Sequence, residues 1–585
     1  MIVDRSNFTE IVKQLSHTGN YGFDTETYGL HWNDRLFSII LYDGKRGYYF
    51  NFQNYPNLDS SWVLPRIYIQ RLGDIFGNRD SLFYIHNAKY DLRRLALEEM
   101  RVKGTCHCTM AIGRVVKNTY RSYSLDNCAK RMGWFKDDKV GEWVKKNKPK
   151  DYSEVPFELM YRYAIHDAKL TYDLGTYQRD FINKNPTLKR TAHNERLLTK
   201  TCFDMEEVGV KIDPSYIRKA KIYEQKELEK NIREFERECI PEFNDGRTYL
   251  VAAFNHVGVP YPKTDKGNPC FDDFALSKMD TPLAERLQKI RKSSKYISTY
   301  YENFLKSEDG IIHADMRQSG TYTGRFSYMN PNLQNIPKED TQASAQKPCQ
   351  VRGCFIPRKG YCFVMIDYDQ QEYRLMIDQA GEKQIIEQVN NGVDLHQATA
   401  DVIGVDRKAA KTLNFGLLYG MGKDSLARSL DVTTPQAAQV KRKYFHKLPR
   451  IRMWQDKLKK FAISHKFADN WFGRRCHLES RGASYIIPNH IIQGGCADIV
   501  KIAMNEIHAY LWDKKSRMLI QVHDEILFEI HESELPIVHK LQYIMEGIYK
   551  PLNGLNLSCS VDHSWKSWAH KDKIEGHPSG IKESL

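Results

Sequence analysis

No apolar run in the 585-residue sequence is long enough to span a bilayer. The N-terminus, MIVDRSNFTEIVKQL, places acidic and polar residues where a secretory leader needs a continuous apolar stretch. Export and membrane insertion are therefore not expected, and the sequence reads as cytoplasmic. The 12 cysteines are scattered, and the one close pair, Cys106-His107-Cys108, lacks the second pair a zinc site needs. Reduced thiols are expected rather than a disulfide framework or zinc module. No internal repeat, low-complexity tract or Gly/Ser linker occurs, which excludes solenoids and implies domains packed directly on one another.

The chain is too long for one core, so two or more domains are expected. Its 41% hydrophobic content, with 34 Tyr, 26 Phe and 9 Trp, excludes wholesale disorder. Lys and Arg outnumber Asp and Glu by 87 to 73, a net charge of +14. Such a surface suits a polyanion, nucleic acid or an anionic membrane, although a merely solvated basic surface gives the same balance.

The first 185 residues mix strand-like runs (Phe37 to Tyr42, Gly47 to Phe50, Leu82 to Ile85) with helical stretches such as Asp91 to Met100, an α/β pattern. From about 190 to 305 the chain reads as long, charged, exposed helices. The remainder returns to α/β, with two apolar runs ending in carboxylates, Tyr361 to Asp367 and Met518 to Asp524, separated by a mostly helical stretch.

In Tyr21-Gly22-Phe23-Asp24-Thr25-Glu26-Thr27, strand geometry puts Asp24 and Glu26 on one face, where they repel unless a cation intervenes. Alone, such a pair is ordinarily a solvated strand end. Asn87-x3-Asp91 and Tyr163-x3-Asp167 each set a polar residue and an aspartate on one helix face, so four carboxylates from three segments can converge. Four carboxylates suit two hard cations that activate a water and stabilise a leaving phosphodiester oxygen, with Tyr163 orienting the water. The three motifs resemble those of DEDD-type proofreading nucleases over about residues 15 to 180, and Tyr163 is similar to the tyrosine of their DEDDy branch.

In the C-terminal half, an apolar strand delivers Asp367 to its exposed end, and Leu519 to Ile530 reads as a hairpin whose turn carries His523, Asp524 and Glu525. Three ionisable groups between core strands are costly unless they meet a cation or water, which makes Asp367 and Asp524 candidate metal ligands. Between them, Asp406 can cap a helix that ends at Gly420 and Gly422. Arg407, Lys411, Phe415 and Tyr419, each four apart, form one stripe of two cations and two aromatics, suited to a nucleoside triphosphate. A basic amphipathic helix with an aromatic core edge has the same pattern.

Together these residues resemble the family A DNA polymerases. Asp367 to Arg374 looks like motif A, Arg407 to Gly420 like motif B and Gln521 to Glu525 like motif C, with further matches at Thr321 to Arg325, Pro331 to Pro337, Asp394 to His396 and Gln493 to Gly495. The resemblance implies an α/β multidomain chain: an RNase H-like 3′→5′ exonuclease domain (1–185), then a right-hand polymerase domain (186–585). Its thumb is expected at about 190–310, its palm at about 311–380 and 500–585, and its fingers at about 381–499. It implies two Mg2+ or Mn2+ ions at each active site. Asp24, Glu26, Asp91 and Asp167 would hold them in the nuclease, and Asp367, Tyr368 and Asp524 in the polymerase, where Glu525 and Lys411 are also catalytic. Arg407, Lys411, Phe415, Tyr419, His396, Glu372, Gln370 and Tyr368 would bind the dNTP, with Glu372 crowding a ribose 2′-hydroxyl. Arg325, Asn332, Gln334, Asn335, Asn489, Gln493 and His523 would touch primer–template DNA.

The resemblance further implies a monomer of phage type, acting in the host cytoplasm with possible replication accessory proteins, without a 5′ nuclease domain or a large processivity-factor insertion. Departures from the family pattern are Asp369 for serine, Gln371 for isoleucine and Tyr373 for leucine. Tyr485 stands where relatives place an arginine, with Arg481 one turn earlier. The rival readings are a single-subunit RNA polymerase, which needs neither the nuclease carboxylates nor Glu372, and a nuclease or DNA-binding protein with an inactive polymerase half.

Overall fold

The computed structural model describes residues 1–573 apart from 57, 137, 265 and 339–348. Residues 574–585, included in the expected palm segment, lie outside the described residues. Among the described residues no helix is long and apolar enough to cross a membrane, and all 12 cysteines are free thiols.

Alternating apolar runs in the N-terminal part build a six-stranded sheet of β1 (Ile2–Val3), β2 (Asn20–Thr27), β3 (Leu36–Tyr42), β4 (Gly47–Asn51), β5 (Leu82–Ile85) and β6 (Thr105–Cys108). Their order is β1-β4-β3-β2-β5-β6. β2 lies at the centre, antiparallel to β3 and parallel to β5, so the carboxylates near its end emerge mid-sheet. Helix α1 spans Ala88–Ala96 rather than the expected 91–100. Asn87, at φ 58°, turns the chain left-handed just before it, and Glu99, at φ 58°, does the same just after. Asn87 therefore precedes the helix instead of sharing a face with Asp91, correcting the expected helical pairing. Helix α2 (Phe157–Lys184) crosses the sheet so closely that a side chain at Gly22 would collide with the Ala168 carbonyl oxygen. That approach brings Asp167 against β2.

Helix α3 (Lys189–Val208) is not the exposed helix that its charge suggests. Ten of its residues are buried, because it is wedged between β6 and the C-terminal half of the chain. The long exposed helices begin after it, with α4 (Pro214–Glu238), capped by Asp213, packing on α5 (Pro282–Lys295). Their contact is extended by a separate apolar cluster around Phe235, Phe254, Leu283 and Leu287.

The second sheet is wholly antiparallel. It is formed by β7 (Tyr361–Tyr368), β8 (Arg517–Val522), β9 (Glu525–His531), β10 (Cys559–Ser564) and β11 (Asp572–Lys573), in the order β8-β9-β7-β10-β11. β7 is central and Cys362 to Ile366 are buried, as its unbroken apolar run requires. Helices α6 (Gln371–Ala380), α7 (Leu395–Ile403), α8 (Arg407–Leu418), α9 (Thr434–Lys447) and α10 (Pro449–His465) follow β7, and α11 (Ile487–Tyr510) runs back to the sheet. Asp394, Asp406 and Thr433 cap α7, α8 and α9 by accepting from the backbone amides of Gln397, Ala409 and Gln436.

One ionic cluster ties the layers together. Glu195 of α3 accepts from Arg474, Lys501 and Gln318, while Arg474 also donates to Asp498, and every one of these side chains is buried. Burial alone would raise the Glu195 carboxyl, but Lys501 and Arg474 outweigh it and hold the group at about 2. This contribution is present above the ordinary glutamate range and is lost as pH falls toward about 2. Glu195→Ala takes its carboxylate from buried Lys501 and leaves Arg474 with Asp498 alone, and is expected to destabilise the fold by about 3–5 kcal/mol. A urea-unfolding midpoint equal to the parent's would refute this.

Candidate active sites

The first acidic cluster forms where β2, α1 and α2 meet. Asp24 and Glu26 come from β2, Asp91 from α1, and Asp167 with Tyr163 from α2. Asp91 Oδ1 accepts from the Thr25 amide (3.0 Å) and hydroxyl (2.7 Å), which locks α1 to the strand. Burial, then the charges of Asp91, Glu26 and Asp167, push Asp24 well above the usual carboxylate range. Glu26 is raised by burial and then by Asp167 and Asp91. Burial carries Asp91 up to about 7 against the hydrogen bonds from Thr25. Burial raises the Tyr163 hydroxyl too, and the neighbouring Asp167 charge adds to it.

Lys136, absent from the sequence reading, supplies the missing positive charge. Its Nζ donates to Asp167 at 2.7 Å and lies 5.4 Å from the Tyr163 ring centroid. It sits in an irregular loop before the helix Lys139–Asn147, where neither periodicity nor motif marks it.

The second cluster sits at the end of β7. Asp367 pairs in register with Glu525 on one side and Ser560 on the other, and Asp524 occupies the β8–β9 turn, where His523 adopts φ 58°. The turn holds only His523 and Asp524, so the expectation that it also carries Glu525 is corrected: Glu525 opens β9. The Glu525 carboxylate accepts from Trp568 Nε1 (3.3 Å) and Lys571 Nζ (3.4 Å), with Arg352 3.9 Å away. Burial, Asp524 and Glu525 together push Asp367 up to about 8, and burial raises Asp524 as well. Tyr368 is buried, its hydroxyl donating to the Met545 carbonyl.

Both clusters suit a cation. Among the described residues no three acidic, histidine or cysteine side chains stand as a ready-made metal cage. Yet Asp167 Oδ1 and Asp367 Oδ1 are buried without a hydrogen-bond partner, and each residue stands beside other carboxylates. A divalent ion bound to oxygen would satisfy both conditions.

Helix α8 presents the expected stripe, except that it ends at Leu418 and Tyr419 is its cap, followed by Gly420 at φ 72°. Arg407 grips Asp394 with two hydrogen bonds (2.9 and 3.1 Å), and Gln370 Nε2 donates to the same carboxylate. Against the upward push of burial, Arg407 and the Gln397 amide hold Asp394 at about 2. Lys411 is exposed, and Phe415 is half-buried with its ring 5.5 Å from that of buried His396. Glu372 accepts from the Tyr419 hydroxyl (2.6 Å) and forms a close ion pair with Arg325, a residue expected to face DNA.

Most other expected DNA contacts surround the acidic turn. Gln334 Nε2 donates to Gln521 Oε1 (3.2 Å), and the Gln521 amide in turn donates to the His523 carbonyl. Asn332 and Asn335 flank Gln334 on a short helix packed against β8. Asn489 and Gln493 lie one turn apart on α11, where Asn489 Oδ1 is buried and unpartnered. Of the departures, Asp369 accepts from Ser558 Oγ (2.7 Å), Gln371 and Tyr373 are buried, and Tyr485 and Arg481 are exposed.

The Asp367 value yields a test by metal binding. In an Asp24→Ala/Glu26→Ala variant, which strips the first cluster of its β2 carboxylates, one proton must leave Asp367 before an ion binds. Apparent Mn2+ affinity, read by electron paramagnetic resonance, is expected to climb about tenfold per pH unit below about 8 and to level off above it. A flat profile would exclude Asp367 as a ligand.

Comparison with known proteins agrees with this geometry. A family model described as 3'-5' exonuclease matches residues 1–179, and one described as DNA polymerase family A matches residues 220–570. DNA polymerase I of Chloroflexus aurantiacus is 28% identical over 85% of this chain, which spans 56% of that protein's length. DNA polymerase DpoZ of Acinetobacter phage SH-Ab 15497 is 24% identical over 92% of this chain and 95% of its own. A solved structure, the POL domain of Pol1 from M. smegmatis in complex with DNA primer-template and dNTP, superposes with a TM-score of 0.83 at 23% identity, covering 97% of this chain and 99% of that one. Its likeness concerns the fold. With a family model matching over more than half its length, the chain belongs to DNA polymerase family A and carries a 3'-5' exonuclease domain ahead of the polymerase domain.

Proposed function

We propose that this protein copies a DNA template from dNTPs at the Asp367–Asp524 site and removes misincorporated 3′ nucleotides at the Asp24–Glu26–Asp91–Asp167 site. The observation that carries this reading is the presence of two separate buried acidic clusters, one of which is tied to the helix bearing Arg407, Lys411 and Phe415: Gln370, close after Asp367 in the chain, donates to the Asp394 carboxylate that Arg407 grips. Asp367, Asp524 and the Tyr368 backbone carbonyl would hold two Mg2+ or Mn2+ ions at the polymerase site, and the four N-terminal carboxylates two more at the nuclease site. Bound there, the ions would activate the attacking oxygen and neutralise charge on the leaving group. Glu525, beside Asp367, raises the negative potential that favours them.

The protein's own side chains do the rest by positioning. Arg407 exchanges Asp394 for the triphosphate, joined by exposed Lys411 and by His396, while Phe415 borders the sugar and base. Exchange costs little, because an exposed ion pair such as Arg407–Asp394 is screened by solvent. Gln370 sets Asp394, and Glu372, held by Arg325 and Tyr419, forms a wall at the expected ribose 2′ position. Arg325 and Tyr419 are released from Glu372 toward the minor groove and template base, alongside Asn332, Gln334, Asn335, Asn489, Gln493 and His523. At the nuclease site Tyr163 orients the water, and Lys136 offsets negative charge on the cleaved phosphate. The protein is proposed to work as a monomer on primer–template DNA in phage-type replication within a bacterial cytoplasm.

Asp24→Ala/Glu26→Ala is expected to abolish primer degradation and spare extension. Asp524→Ala should lower extension by more than about a hundredfold, since even residues that only orient metal ligands are worth 10–100-fold. Equal degradation by the double variant and its parent would remove the nuclease assignment, and extension surviving Asp524→Ala would remove the polymerase one. The parent should incorporate dNTPs over rNTPs on one primer, and Glu372→Ala should narrow that preference.

A further inference from the structure

Tyr373, a departure from the family pattern, lies in the first turn of α6 beside Glu372 and is wholly buried. Its hydroxyl sits 3.2 Å from Thr399 Oγ1 on α7 and 3.0 Å from the Tyr444 hydroxyl on α9, so three helices meet at one oxygen. The Thr399 hydroxyl donates its single proton to the Leu395 carbonyl (2.9 Å), which leaves Oγ1 only able to accept. Tyr373 must then donate to Thr399, and Tyr444 must donate to Tyr373.

The same acceptor sets the next residue. Asn414 Nδ2 lies 3.2 Å from Thr399 Oγ1 and 3.0 Å from His396 Nδ1. An acceptor-only Thr399 requires the amide NH2, not its oxygen, and the second NH2 proton then points at His396 Nδ1. Asn414 Oδ1 is left buried without a partner, an arrangement the amide adopts only because its other end is dictated. His396 Nδ1 is therefore an acceptor, and the ring proton resides on Nε2. The ring is 2% exposed, and burial favours its neutral form. It stands among Asp394, Arg407 and Lys411, whose charges all act on it.

We infer that Tyr373 is a positioning residue for nucleotide incorporation: through Thr399 and Asn414 its hydroxyl holds His396 as the Nε2–H tautomer, a ready donor to the triphosphate. This rests on the reading of His396 as a triphosphate contact. A leucine at 373 would occupy the space but strand the buried Tyr444 hydroxyl and remove the donor that holds Thr399 Oγ1 in the rotamer facing both Leu395 and Asn414.

The test uses the full chain labelled with 15N-histidine, the His396 signals being assigned by their loss in His396→Gln. The parent should show one tautomer with the proton on Nε2. Tyr373→Phe, which keeps the ring and removes only the hydroxyl, should show a mixture of tautomers. Tyr373→Phe/Tyr444→Phe, which leaves no orphaned hydroxyl, should behave alike. In single-nucleotide kinetics with correct dNTP, both variants should raise KM roughly 3- to 10-fold, the worth of one ordinary hydrogen bond, with kcat changed by less than about twofold. An unchanged tautomer and unchanged KM in Tyr373→Phe, with KM raised in His396→Gln, overturns the inference and leaves the site reading standing. An unaltered KM in His396→Gln overturns the triphosphate reading instead, and the tautomer spectrum then decides the hydrogen-bond chain by itself.

Discussion

Carboxylates crowded together away from water repel one another, and most of the chemistry expected of this protein follows from a fold stiff enough to hold them so. Burial raises Asp24, Glu26, Asp91 and Asp167, and neighbouring carboxylates add to it at Asp24 and Glu26; burial also raises Asp367, where Asp524 and Glu525 add to it, and Asp524, where Glu525 does. Neither cluster relaxes by swinging apart, because its members stand on strands and helices fixed elsewhere. Asp91 is bound to Thr25, Asp167 rides on a helix pressed against Gly22, and Asp367 ends a strand paired on both sides. The repulsion is in effect stored affinity for a cation, which low effective dielectric makes stronger than any surface pair could.

The positive charges divide by depth. Arg474 and Lys501, enclosed with Glu195 and Asp498, have no water to return to, so they hold α3, α11 and the ribbon of Phe467–Asp469 and Arg475–His477 in one arrangement. Lys89 does the same between the N-terminal sheet domain and the rest, contacting Glu206 and Asp315. Arg407 is different: half-exposed and paired with Asp394, it loses little when a phosphate replaces its carboxylate. Arg325, closed on Glu372, has comparable freedom. Rigid pairs position the clefts, and labile pairs occupy the places where nucleotide and DNA are proposed to bind.

Much of this was legible in one dimension. Alternation placed Asp24 and Glu26 on one strand face, an unbroken apolar run marked β7 as a central strand ending in Asp367, and four-residue spacing put Arg407, Lys411 and Phe415 on one helix face. These are local patterns of period two and 3.6, which neighbours along the chain impose by themselves. Local rules failed where backbone conformation changed within a motif. Asn87 left the helix because it is left-handed, and Glu525 joined a strand because the turn closed one residue earlier.

Other features exist only once distant segments meet. Charge made α3 read as solvent-exposed, yet it is buried, because Glu195 and Glu206 find Arg474, Lys501 and Lys89 from segments far away in sequence. Lys136 bears no motif and matters only because its loop folds over Asp167. Tyr373 stands in the sequence only as a departure from the family pattern, and its role depends on Thr399 and Tyr444 lying within reach of its hydroxyl. The sequence by itself determined which residue types and periodicities could build two acid sites and a phosphate-binding helix. Only the tertiary structure decided which cation answers which carboxylate, because Coulomb and hydrogen-bond energies depend on distance in space and not on separation along the chain.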